Sequence, residues 1–203
     1  MTLETEDLLQ SILDSLDRID YIRPDDIPDI ELYMDQVTTF MDSRLKNAAR
    51  NPEVDKILTK TMINNYAKNN LLPSPVKKRY SKEHLLVLIF IYYFKNILSI
   101  NDIQTLLNPI TDKYFKSQEK LDLTSIYEEV FSMEKEQIEV LKKELLKNYQ
   151  TAQNTFTDAP EDEQDFLKLF SFICLLSFDV YMKKTIIEQM IDSLRENDPK
   201  KKK

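Results

Sequence analysis

A chain of 203 residues that contains no glycine has few ways to turn sharply. Dinucleotide fingerprints, phosphate-binding loops and nucleophile elbows all need glycine where a Cβ would clash, so those activities are excluded. The primed two-residue turns of β-hairpins lose their favoured residue as well. An all-α fold is the expected consequence. Hydrophobic residues make up 42% of the chain, enough to bury a core in one large or two small domains.

The same sequence offers little to a metal or a redox group. Cys174 is the one cysteine and lies in the apolar run 170–178, where a buried structural thiol is expected and no intramolecular disulfide can form. His84 is the one histidine, in the first turn of a helix, and reads as a surface or capping residue. Neither a zinc site nor any cofactor is expected from this pair. The first thirty residues are acidic without a long apolar stretch. The apolar tract 166–178 is broken by Lys168 and too short to span a bilayer. A soluble cytoplasmic protein without a membrane partner is expected.

Charge is unevenly placed. Between 56 and 82 stand seven basic residues and no acidic one, whereas 1–55 holds 14 acidic residues against 5 basic. In an acidic protein such a segment offers one surface to a polyanion, unless it is only a solvated face balancing its flanks. The segment divides into parts. Thr59 or Thr61 caps a short helix, 61–70, with Met62, Ile63 and Tyr66 inward and Lys60 and Lys68 in solvent. Leu71-Leu72-Pro73-Ser74-Pro75 stops it, since proline cannot donate a backbone bond and disfavours helix before it. A basic connector, Val76-Lys77-Lys78-Arg79-Tyr80, leads to Ser81, the start of the next helix.

Tyr66, Lys68, Leu71-Leu72-Pro73, Arg79-Tyr80-Ser81 and Ser99-Ile100 with Asp102-Ile103, in that order, resemble the DNA-binding domain of MerR-type regulators. They are more similar still to a bacterial family called domain of unknown function 1836, which is described as MerR-like. The resemblance implies a helix-turn-helix with a short or degenerate wing, followed by a second helix pair. It implies that Thr59, Lys60, Thr61, Asn64, Asn65, Tyr66 and Lys68 face double-stranded DNA, and that Lys77, Lys78, Arg79 and Tyr80 sit on flanking phosphates. The chain departs from the MerR pattern in three places. Asn64-Asn65-Tyr66 stands where Arg-Tyr-Tyr is typical, the connector is short and lacks glycine, and the loop 47–56 exceeds a three- or four-residue turn. Asparagine still suits an adenine edge.

Elsewhere the pattern is helical. Leu8, Leu9, Ile12, Leu13, Leu16 and Ile19 share a face in 2–20. A helix over 30–49 buries Leu32 or Tyr33, Val37, Phe40, Met41 and Leu45. The helix 81–98 is the most apolar of the first half, with Tyr92, Tyr93 and Phe94 read as core. A short helix, 100–107, ends before Pro109. One long helix, 121–153, places Ile126, Val130, Met133, Gln137, Leu141 and Leu145 on a narrow seam. The last, 163–196, is apolar almost all round between 166 and 182 and must be enclosed, either by the preceding helices or by a second subunit. The domains expected are 1–116, carrying the helix-turn-helix; 117–196, for dimerisation or an effector; and a disordered basic tail, 197–203.

No nucleophile–base pair and no set-off carboxylate pair is present, so no enzyme activity is expected. The expected function is a DNA-binding transcriptional regulator acting as a homodimer through its C-terminal helices, with room for a small-molecule effector. The alternative is a helical protein-interaction module that has the same shape and no longer binds DNA.

Overall fold

The computed structural model describes residues 5–17, 19, 21–46, 49–51, 53–117 and 119–197. The elements run α1 (Thr5–Leu16), β1 (Leu32–Tyr33), α2 (Met34–Leu45), α3 (Lys60–Lys68), β2 (Arg79–Tyr80), α4 (Lys82–Phe94), α5 (Ile100–Tyr114), α6 (Leu123–Ser132), α7 (Glu134–Gln153) and α8 (Glu161–Glu196). The protein is mostly helical, as its lack of glycine predicts. It also has a two-stranded antiparallel sheet, in which Leu32 pairs with Tyr80 and Tyr33 with Arg79. Leu32 and Tyr33 therefore form a strand, and the helix expected over 30–49 begins only at Met34. Among the described residues no helix is long and apolar enough to cross a membrane.

Two compact units form, and neither is one continuous stretch. The central unit is Ile22–Val130 with Glu188–Lys203, and the flanking unit is Met1–Tyr21 with Phe131–Ile187. The division does not fall at 116, where the sequence reading places it. Leu123 and Tyr127 are fully buried on the inner side of α6, and the Tyr127 hydroxyl donates to the Ile22 carbonyl at 2.7 Å, which ties α6 to the central unit. The basic tail expected at 197–203 lies, except for Asn197, outside the described residues.

The hub of the central unit is α4. Residues 84–91 are buried on every side, which accounts for an unbroken run from Leu85 to Ile91 of apolar side chains. Against it pack β2 and α5, in which Ile103 and Leu107 are buried, and the same unit buries Val37, Met41 and Leu45 of α2 and Ile63 and Tyr66 of α3. The long connection between α2 and α3 is held from within. Ile57 and Leu58 are each 2% exposed, and Lys95 Nζ donates to the Ile57 carbonyl at 2.9 Å. Half-burial of that ammonium pushes its pKa down.

Three helix expectations are corrected. Pro109 lies inside α5 and does not end it: the ring is on the exposed side, and buried Ile103, Leu107 and Phe115 carry the helix past the missing N–H. The single helix expected over 121–153 is two, α6 and α7, breaking at Met133 (ψ −13°). The break falls where the buried stripe changes partner: Leu123, Tyr127 and Phe131 in α6, then Leu145 and Ala152 in α7. The seam expected at Val130, Met133 and Leu141 is consequently exposed, with only Leu145 of it buried. In the flanking unit Leu9 of α1, Leu145 and Ala152 of α7 and Phe172 of α8 make the core, joined by Ile12, Leu13, Leu16 and Tyr149. Cys174 is half-buried and free, less enclosed than its apolar run implies.

The last turns of α8 belong to the central unit. Ile191 is 1% exposed, and Arg195 reaches α5, with Nη2 2.5 Å from Asp102 Oδ1 and Nε donating to Thr105 Oγ1 at 3.0 Å. Asp102 also closes the capping box of α5 with Ser99, whose hydroxyl donates to it at 2.6 Å. Ser99 first, then Arg195, holds the Asp102 carboxyl below the usual carboxylate range.

Candidate nucleic-acid interface

Helix α3 is built from both ends. Thr59 caps it, its hydroxyl accepting from the Met62 N–H at 3.2 Å. At the other end Asn70 takes the left-handed conformation (φ 55°) that glycine would normally supply. The Leu71 N–H then bonds the Tyr66 carbonyl at 2.9 Å and the Asn70 N–H bonds the Ala67 carbonyl at 3.2 Å, while buried Leu71 and Tyr66 close the cap. The Gln104 side chain of α5 donates to the Asn69 carbonyl and pins this end.

Spacing along α3 separates its faces. Ile63 and Tyr66 point inward, whereas Thr61, Asn64, Asn65 and Lys68, at steps of three, one and three, form one exposed row. Lys60 is exposed at its start and Thr59 half-buried at the cap. Two of the residues expected on DNA are core instead. Tyr66 is 7% and Tyr80 3% exposed, and burial raises the pKa of both phenols. Tyr80 is the last residue of β2 and faces inward because strand side chains alternate: Arg79 out, Tyr80 in.

The connector is a hairpin. Val76 and Arg79 bridge, with the Arg79 N–H on the Val76 carbonyl at 2.9 Å, and the two-residue tip is Lys77 (φ 49°) and Lys78 (φ 64°). That is the primed turn that ordinarily selects Asn-Gly. Two consecutive lysines in the left-handed region are held against a cost of about 1–2 kcal/mol each. Replacing Lys77-Lys78 by Asn-Gly is therefore expected to stabilise the fold by about 1–2 kcal/mol. A rise in urea midpoint at unchanged slope checks it.

Acidic residues of 29–35 meet this basic segment. Lys82 Nζ is 3.2 Å from Asp29 Oδ1, Arg79 Nη1 is 3.7 Å from Glu31 Oε2 and stands 5.7 Å over the Tyr33 ring, and Lys60 pairs with Asp35. The strand pairing explains the middle contact, since Glu31 is a diagonal neighbour of Arg79 across β1 and β2. The same seven-residue strip thus touches the starts of α3 and α4 and the base of the hairpin. Lys68, Lys77 and Lys78 form no ion pair among the described residues. Sequence reasoning missed the three acids because each partner is remote in the chain, and only the fold, through the strand register for Glu31, brings them together.

Behind the hairpin lies His84, corrected from surface to core. It is 2% exposed and does cap α4: the Ser81 N–H donates to Nδ1 at 2.9 Å, which leaves the ring proton on Nε2. The ring stands edge-on to Tyr80 (centroids 5.4 Å apart) and Phe115 (4.7 Å). Desolvation pushes its pKa down to about 4. A cavity of about 280 Å³ opens near the end of α3, with Asn70, Ser74, Thr111 and Phe115 among its walls. Among the described residues no group of three His, Cys, Asp or Glu side chains is placed to hold a metal.

No curated protein and no solved structure matches the chain significantly. A family model does match, over residues 22–131, which is the continuous part of the central unit and one further residue, Phe131. More than half of its length being matched, the chain belongs to the family described as Domain of unknown function (DUF1836).

Proposed function

We propose that this protein is a DNA-binding transcriptional regulator with a MerR-like winged helix-turn-helix, α3 serving as recognition helix and the 76–79 hairpin as a reduced wing. One observation carries the reading: the strip 29–35 touches α3, the hairpin and α4 together, so the basic segment forms one surface. On that surface the outward row Thr61, Asn64, Asn65 and Lys68 meets base edges, Asn64 and Asn65 being suited to adenine. Lys77 and Lys78, unpaired and raised on a strained tip, meet phosphates, which set register without reading sequence. The duplex is bound by a homodimer, because one helix of nine residues reads too few base pairs for selectivity. The cavity at the end of α3 is the place offered to a small-molecule effector.

The test is fluorescence anisotropy on mixed-sequence duplex across a salt series. Changing Lys68, Lys77 and Lys78 to glutamine is expected to lower the slope of log K against log salt by about 0.9 for each phosphate left without its lysine. Asn64→Ala or Asn65→Ala is expected to cost about 1–3 kcal/mol on a selected site and little on random sequence. A salt-independent or absent interaction defeats the reading. A second reading, a protein-interaction module with this shape, is favoured by the three cations already paired with carboxylates, and heparin and duplex retention separate the two.

A further inference from the structure

We propose that Asp29, Glu31 and Asp35 are selectivity residues of this face, acting as a built-in counter-charge that keeps Lys82, Arg79 and Lys60 from gripping any polyanion that arrives. The proposal rests on the reading of the face as one that meets a nucleic-acid backbone. Each carboxylate is a single negative charge lying against one cation, as a phosphodiester would lie. All three are open to water, the carboxylate side chains of Asp29, Glu31 and Asp35 being 86%, 51% and 75% exposed. Exposed pairs of this kind are held weakly, so a well-placed phosphate can displace them.

Displacement does not remove the carboxylate, however. The strip is fixed in place by β1 pairing with β2, so a displaced acid stays beside the incoming phosphate and repels it. Random-sequence contact then relies on cations such as Lys68, Lys77 and Lys78, which form no ion pair among the described residues. Only an approach that adds base contacts through the α3 row compensates for opening the other three pairs. Specificity arises here by penalising the wrong complex as much as by favouring the right one.

The experiment compares three full-length proteins on mixed-sequence duplex and on immobilised heparin: wild type, Asp29→Asn/Glu31→Gln/Asp35→Asn, and a control of equal net charge, Glu136→Gln/Asp158→Asn/Asp165→Asn. Circular dichroism first establishes that each is folded. The strip variant is expected to bind duplex at least tenfold more tightly than the control at low salt. Its salt slope should be steeper by about 0.9 for each cation released to a phosphate. Adding Lys60→Gln, Arg79→Gln and Lys82→Gln to the strip variant, which restores the wild-type net charge, should return both quantities to the wild-type value or below. Equal gains in strip variant and control, or a gain that survives loss of the three cations, overturn the proposal. If the strip variant alone elutes later from heparin while none of the proteins binds duplex, the counter-charge stands and the DNA reading falls. If wild type binds duplex and the strip variant gains nothing, the counter-charge falls and the DNA reading stands.

Discussion

Acidification from pH 7 to pH 4 is expected to remove about 3 kcal/mol of stability through the single imidazole of His84. In the unfolded chain this ring takes up a proton near pH 6.5; in the folded protein it does so only near 4. Between those values the unfolded state binds more protons, so stability is complete above about pH 6.5 and falls as pH drops towards 4. The cause is burial between Tyr80 and Phe115, against which the adjacent Glu83 gives only partial support to the charged form. Asp102 and Asp122, with depressed carboxyl pKa values, lose their contributions only at still lower pH and do not blur this window. Urea midpoints measured from about pH 4.5 to about pH 7.5, across the span in which the two states differ in bound protons, check the effect. His84→Gln, which can still cap α4, should lower stability at neutral pH and flatten the profile; a profile as steep as wild type would assign the loss elsewhere.

The second large effect is expected on self-association. Phe166, Phe170, Ile173, Val180 and Tyr181 of α8 are 51–70% exposed and fall on one side of the helix, away from Phe172 and its neighbours. Leu141 and Leu146 of α7 are exposed in the same unit. Exposed apolar side chains gathered on one side are the kind of surface used for association, and a second copy of the chain is the proposed occupant. Phe170→Glu or Ile173→Glu is expected to weaken the dimer at least about 100-fold, since each removes about 1.5–3 kcal/mol of burial and places a charge in the interface. Leu141→Lys should act in the same direction without unfolding the protein, because Leu141 is at the surface. Sedimentation equilibrium is the measurement, and a wild-type protein that remains at 24.1 kDa up to high micromolar concentration would remove the dimer.

What could be read from the sequence was what neighbouring residues decide. A cap at Thr59 or Thr61, the inward Ile63 and the stop at Leu71-Leu72-Pro73 are local signals, and the helix expected over 61–70 is present at Lys60–Lys68 with Thr59 as its cap. The helix-dominated class followed from the absence of glycine for the same reason. Features that depend on distant partners were not legible. Leu32-Tyr33 becomes a strand only because Arg79-Tyr80 lies beside it, and the Lys77-Lys78 tip carries no turn signal because its residues ordinarily avoid positive φ. The exposed row of α3 was foreseen, and helical spacing already put Tyr66 inward, whereas the family resemblance put Tyr66 and Tyr80 on DNA, because a tyrosine next to basic residues suits both a core and a phosphate contact. Tertiary packing chose the core. The acids at 29, 31 and 35 were counted as flanking charge, and only the fold carries them to 82, 79 and 60.

The discontinuity of the central unit has a consequence for the order in which the protein can be made. Synthesis proceeds from the N-terminus, and domains generally fold as they emerge. Here Asp102 and Thr105 wait for Arg195, a partner separated from them by 93 and 90 residues, and Ile191 arrives from the same late helix. On the ribosome, therefore, the unit that carries α3 and the hairpin must remain incomplete while the whole of α7 and most of α8 are still being translated. A nascent chain of this protein has its basic segment long before it has the finished surface, and the acids at 29–35, made before that segment, are already there to meet it.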